Sequence, residues 1–347
     1  LTMFCSFCIE TGAAIHLYRN GAGERVLQWM DLYVDSKEVQ CNGCEFLRNF
    51  SASQYRVREA IVWAGGIEQL ANLLEVHLKH KDVLEAVMRA LHNLVTGPQC
   101  VAECRTHEVI RKVMKVIVKH PVTQGIQESA FSLLWNITTA QEMADDIVTQ
   151  DGVKRARIAL NSFSETPDVI VPAVGLLRNM FSSPHQGRAA SAEYHEAQGY
   201  KQLLGVLWTC CLPGEWQKTA AAKRYGEDRV PPEIFATPES TRVAEQILGA
   251  LNNITTIPRD HRDHLAWLTS ELAGRDACSN LRFVLQIHPK SAMAQYQGLS
   301  MIRQVLSHSM SLKVKFAGFG KHVSDMLKKH ADSPVHDAAE LLLEEVA

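Results

Sequence analysis

The chain has 347 residues, 46% hydrophobic and 21% charged, with a formal net charge of −2. These are the values of a folded protein, not of a disordered one. They leave no global basic field to hold a polyphosphate, and no stretch reaches the ~18 uninterrupted apolar residues of a membrane span, so neither nucleic acid nor a membrane is an expected partner.

Taken in order, Leu1 and the Thr2-Met3-Phe4-Cys5 that follows read as the interior of a helix, which makes the chain an expected fragment of a longer protein. Gly21 to Phe50 reads as two helices, the second ending in Leu47-Arg48-Asn49-Phe50. In Arg58 to His77, Glu59-Ala60-Ile61-Val62-Trp63 ends at Gly65-Gly66, and Ile67, Leu70, Leu73 and Leu74 open the next helix. The glycines suit a sharp turn because Gly tolerates positive φ. Val83, Val87, Leu91, Leu94 and Val95 then follow the spacing of one buried helix face.

One pattern recurs along the chain: apolar, any residue, Asn, apolar. After Leu47-Arg48-Asn49-Phe50 it returns as Leu91-His92-Asn93-Leu94, Leu134-Trp135-Asn136-Ile137, Leu177-Arg178-Asn179-Met180 and Leu251-Asn252-Asn253-Ile254. The first four Asn positions are 44, 43 and 43 residues apart. From Asn179 to Asn253 the interval is 74, and the surplus falls on residues 211–241. Pro213, Pro231, Pro232 and Pro238 interrupt helices there, so a long loop insertion is expected, with a short helix over Trp216 to Tyr225. Two later copies are degenerate, with Gln304 and Glu345 at the Asn position.

Three helices in about 43 residues match the armadillo period. Ala64-Gly65-Gly66-Ile67-Glu68-Gln69-Leu70, with Leu73-Leu74 after it, resembles the junction between the first two helices of an armadillo repeat, and Arg89-Ala90-Leu91-His92-Asn93-Leu94 resembles its third helix. The likeness covers most of the chain. It implies an all-α, right-handed superhelical solenoid of armadillo-type three-helix repeats, about seven in number over 1–347, the first and last partial or degenerate. Runs of HEAT-like helices are the alternative for 260–347.

In armadillo proteins the third helix lines the concave face. The resemblance therefore implies a partner-binding groove carrying Asn49, Asn93, Asn136, Asn179 and Asn253, whose amides offer a donor and an acceptor to an extended backbone. Stacked helices lie roughly 8–10 Å apart and an extended chain advances about 3.3 Å per residue, so such a ladder grips a strand every few residues. Arg48, Arg89, Arg178, Glu85 and Glu128 are the charged neighbours expected to select side chains, with Arg303 a further basic candidate. The alternative for the Asn ladder is a hydrogen bond between repeats. Importin-α-like proteins place Trp four residues before this Asn; this chain does not, and Trp135, next to Asn136, is expected to face elsewhere.

Other signals are discounted. Cys5-x-x-Cys8 with Cys41-x-x-Cys44 resembles half a zinc site, but the pairs lie far apart in helical pattern. His261-x-x-His264 and Cys100-x-x-x-Cys104 lack a third ligand, so no metal is expected. Nine cysteines within helical patterns read as reduced thiols, hence a cytoplasmic or nuclear protein. His77, His80, His120 and His330 read as solvated positions at helix ends. Asn49-Phe50-Ser51, Asn136-Ile137-Thr138 and Asn253-Ile254-Thr255 match the glycosylation pattern but sit in packed helices. Gly21-x-Gly23 lacks a dinucleotide context, Asp145-Asp146 and Glu344-Glu345 point to different sides of their helices, and no catalytic motif appears. The expectation is a non-catalytic scaffold or adaptor with a protein partner, no cofactor and no small-molecule substrate. A regulatory segment of a larger enzyme or ubiquitin-ligase assembly is the alternative, and an active site hidden in 211–241 has only that segment's length in its favour.

Overall fold

The computed structural model describes residues 11–96, 98–225, 230–255, 261–274 and 276–346. Among them the regular structure is helical. Cys5 and Cys8 lie outside the described residues, as do the side chains of Trp216, His261 and His264. No helix among the described residues is long and apolar enough to cross a membrane. The chain divides into two compact units, Leu1–Ala159 and Leu160–Ala347.

In the first unit, the helices in order are α1 (Thr11–Arg19), α2 (Ala22–Leu32), α3 (Lys37–Ser53), α4 (Tyr55–Trp63), α5 (Gly66–Val76), α6 (Lys81–Leu94), α7 (Pro98–Thr106), α8 (Val109–Lys119), α9 (Gln124–Ile137), α10 (Gln141–Val148) and the start of α11 (Gly152–Ser162). Every third helix packs on the next of its kind: α3 on α6 and α6 on α9, with α2, α5 and α8 forming a second row. The apolar spacing of α6 does what the sequence requires. Val83, Val87, Leu91, Leu94 and Val95 are all buried, a stripe that cannot face water at about 25 cal/mol per Å2 of apolar surface.

The second unit runs through α12 (Pro167–Phe181), α13 (Gly187–Glu196), α14 (Gly199–Cys211), α15 (Glu215–Tyr225), α16 (Pro238–Thr255), α17 (His261–Leu272), α18 (Ala277–Ile287), α19 (Ala292–Leu306), α20 (Met310–Phe316), α21 (Gly320–Lys329) and α22 (Pro334–Val346). Here α12, α16, α19 and α22 form the row. Residues 211–241 hold α15 where a short helix is expected, and a 3-10 turn, Pro232–Phe235, that packs on α18 with the Phe235 and Phe283 rings 6.4 Å apart. Outside Ala221, α15 has little cover.

The turn between the first and second helices recurs in backbone geometry. Gly21, Gly65, Glu108, Asp151 and Gln198 each take the left-handed conformation and each precedes a second helix. Gly65 (φ 83) accepts it without cost. At Gly66, a Cβ would stand 2.8 Å from the Ile61 carbonyl oxygen, so the two helices close onto bare backbone there.

The cysteines among the described residues are core thiols. Cys44, Cys100, Cys104, Cys211 and Cys278 are buried and Cys41 and Cys210 half-buried, all unbridged. Burial pushes the Cys104 thiol up to about 12 and raises Cys44 and Cys211 as well.

The histidines correct the sequence reading. His77 is buried, not solvated, and its Nε2–H donates to the Val34 carbonyl at 2.8 Å, 43 residues back. His120 and His330 are half-buried and reach Leu78 O (2.8 Å) and Pro289 O (3.1 Å) in the same way. A helix C-terminus leaves carbonyls without partners, and imidazole N–H groups from the next repeat fill them.

Two predictions arise from this packing. Gly65→Ala should cost about 1 kcal/mol through the left-handed backbone, and Gly66→Ala more, through the clash with Ile61; urea unfolding of the two variants checks both. Burial also pushes His288 down to about 4. His322 falls to about 4 as well, through burial first, with Lys329 and Arg282 adding and Asp325 opposing. In the unfolded chain an imidazole takes its proton near the usual 6.5. The unfolded state then binds more protons between these values, so stability falls as pH drops from 6.5 toward 4 and levels off below. Urea midpoints at neutral and mildly acid pH measure the loss, and His288→Gln should flatten part of it.

Candidate functional site

In the first unit, Asn49, Asn93 and Asn136 fall near the ends of α3, α6 and α9, and all three are half-buried. Their amides are not idle. Asn93 Nδ2 donates to Arg48 O (3.0 Å), and Asn136 Nδ2 donates to His92 O (2.7 Å) and Val95 O (3.0 Å). Asn49 Oδ1 accepts from the Arg48 guanidinium at 3.3 Å. The Asn side chains therefore stitch one third helix to the preceding one, and Asn136 has committed both amide protons. What its carboxamide keeps for a ligand is acceptor capacity at Oδ1.

The charged neighbours are largely engaged. Arg48 lies 3.6 Å from Glu45, and Arg89 lies 3.9 Å from Glu85 while its Nε donates to Ser129 Oγ at 3.2 Å. The Glu85 carboxylate sits over Gly125 of the neighbouring helix, within 2.6 Å of where a Cβ would be. Glu128 is half-buried on α9. Trp135 is almost two turns beyond Glu128, which brings it back onto the same stripe; it is half-exposed there.

In the second unit, Asn179 on α12 and Asn253 on α16 are again half-buried. Asn253 Nδ2 donates to Arg178 O (3.2 Å) and Ser182 Oγ (2.7 Å). The Arg178 side chain lies across Gly249 of α16, its Cδ 3.2 Å from the place of a Cβ. Further along the row, α16, α19 and α22 enclose a cavity of about 290 Å3 lined by Asn252, Tyr296, Arg303, Gln304, Asp337 and Leu341, among others. Asn252 is buried, with Nδ2 on Gln297 Oε1 at 2.7 Å and an Oδ1 that finds no partner. Gln304 stands at the Asn position of α19, and Glu345, at that of α22, pairs with Lys313. Sequence reasoning named Arg303 and Gln304 but had no signal for Tyr296 or Leu341, whose convergence depends on how three helices meet.

The sequons have a structural explanation. Ser51, Thr138 and Thr255 each donate to the carbonyl three residues earlier, Arg48, Trp135 and Asn252. The Asn and the hydroxyl two residues later are thus both spent within the helical packing. Among the described residues no group of three or more His, Cys, Asp or Glu is placed to hold a metal ion.

No protein-family model matches the chain. Solved structures do. An engineered protein matches at a TM-score of 0.61 and 16% identity, over 82% of this chain and 98% of that one. A chain from the structure of the cadherin and beta-catenin interaction under a conserved phosphorylation switch matches at 0.56 and 15%, over 97% and 69%. SYS-1 matches at 0.52 and 14%, over 98% of this chain and 63% of that one. At such identities the likeness concerns the fold, which is all-α and of the armadillo-repeat kind.

Removing the stitch should be felt as stability. Asn136→Ala strips two buried-side carbonyls of their donor and is expected to cost about 1–3 kcal/mol in urea unfolding.

Proposed function

We propose that the chain is a non-catalytic protein-interaction scaffold that takes an extended partner segment along the face formed by its third helices. The observation that carries this reading is the row of half-exposed Asn side chains, repeated from layer to layer on helices in direct contact. Each row is rigid because its amide nitrogens are anchored in the preceding helix. A partner strand would meet the carboxamide oxygens of Asn93 and Asn136 at a fixed spacing, paired to its N–H groups, with side chains entering depressions such as the one beside Tyr296 and Leu341. The likeness to structures from the cadherin and beta-catenin system supports the general reading of a scaffold. The extended segment, the groove and a cytoplasmic or nuclear setting belong to this proposal.

The test is an affinity capture with the intact chain and with an Asn93→Ala/Asn136→Ala/Asn179→Ala variant, after checking by circular dichroism that the variant remains folded at the assay temperature. The groove reading expects the variant to lose partners that the wild type retains. An unchanged set of partners on a folded variant would overturn it.

A further inference from the structure

The cavity between α16, α19 and α22 holds more unmet hydrogen-bonding capacity than the helical packing explains. Asn252, which lines it, is 7% exposed. Its Nδ2 is spent on Gln297 Oε1 at 2.7 Å, while its Oδ1 has no partner among the described residues. A buried acceptor left open is costly, and folded proteins keep few of them. Among the described residues the side chains of Tyr296, Ser300, Arg303 and Gln304, all lining the same space from α19, also have no hydrogen bond or ion pair. Arg303 differs in this from Arg48 and Arg89 of the first unit, which have carboxylates of their own helices within 4 Å.

The lining restricts what can enter. Its charged residues are Arg303 and Asp337, one of each sign. They do not pair with each other, and Asp337 lies 3.9 Å from His336. Glu340 and Glu344 are exposed on α22 but do not line the cavity, and Glu345 is held by Lys313. With the two signs balanced, the space favours a neutral occupant. Tyr296, Pro334, Ala338 and Leu341 supply an apolar wall, and Leu341 is 38% exposed, so the space is reached from solvent. Its volume of about 290 Å3 falls just below the ~300–1,000 Å3 of small-molecule sites and suits one large side chain.

From this we infer that the cavity takes a single indole side chain, a tryptophan of the partner segment. The source of that side chain rests on the scaffold reading above; its chemistry rests on the lining. An indole presents one N–H donor and no acceptor, which matches an open carboxamide oxygen. Its ring is neutral and apolar, which suits a wall of Tyr296 and Leu341. A guanidinium stacks on an aromatic face, which gives Arg303 the contact it lacks. A lysine would bring a second cation next to Arg303, and an aliphatic side chain would leave Asn252 Oδ1 open. A phenol carries an oxygen that has to be satisfied at the same depth.

The probe is 5-fluoroindole, followed by fluorine NMR with the intact chain and no partner present. It is expected to bind, and its N-methyl derivative about tenfold more weakly for want of the donor. Ser300→Phe, which fills the cavity from α19, should abolish binding of both. Leu341→Ser, at an exposed position, should weaken fluoroindole binding about fivefold or more without moving the melting transition. No binding of fluoroindole, equal binding of the N-methyl derivative, or binding unchanged in both variants would overturn the inference. The Asn93→Ala/Asn136→Ala/Asn179→Ala variant should bind fluoroindole as the wild type does, which separates this inference from the groove reading. Fluoroindole binding beside an unchanged set of captured partners in that variant would sink the groove and leave the indole pocket standing. Partners lost by that variant but all kept by a folded Ser300→Phe chain would leave the groove and overturn the pocket as its anchor.

Discussion

Every α-helix ends with carbonyls that its own turns cannot satisfy, and a stack of short helices multiplies those ends. Here the donors come from side chains set back in fixed register. Asn93, Asn136 and Asn253 reach carbonyls of the preceding third helix. His77, His120 and His330 reach those that follow the preceding second helix. Gln40, Gln127 and Gln295 each bridge two carbonyls at the end of the second helix just before them: Met30 and Tyr33, Ile117 and His120, Leu285 and His288. A buried carbonyl left open costs about 1–3 kcal/mol, so the period is enforced at polar positions as firmly as at apolar ones. A slip of one residue would uncouple all three sets together.

That constraint explains what was legible in the sequence. The Asn register survives as an intact short motif, because the donor must sit on one helix face at one height, and it carried the repeat and its period. Gly65-Gly66 announced its turn because a missing Cβ is visible in the letters. The same turn at Glu108, Asp151 and Gln198 was hidden, since side chains there bear the left-handed backbone and leave no mark in composition. The histidines misled for a related reason. A helix-end His looks the same whether it faces water or a neighbouring carbonyl, and only the position of the preceding repeat decides. The cavity beside Tyr296 and Leu341 depends on three helices separated widely in sequence, which no local pattern encodes.

The face of the third helices also differs from a simple charged surface. Arg48 and Arg89 have carboxylates of their own helix within 4 Å, Glu45 and Glu85. Exposed pairs of this kind are worth about 0.3–0.5 kcal/mol, little enough for an incoming segment to displace. They nevertheless cancel the long-range field that would steer a strongly charged partner. On the proposed reading, a partner segment's affinity would come from backbone pairing and from apolar side chains seated against Trp135 or Tyr296, with charge acting as a filter on what lies alongside.

Within each layer of the first unit, one stacking register serves two ends. It aligns Asn49, Asn93 and Asn136 along the third helices, and it equally aligns Tyr33, His77 and His120, the residues that close the second helices. Neither row needs the other's side chains, but both need the same His and Asn bonds to hold the layers in step.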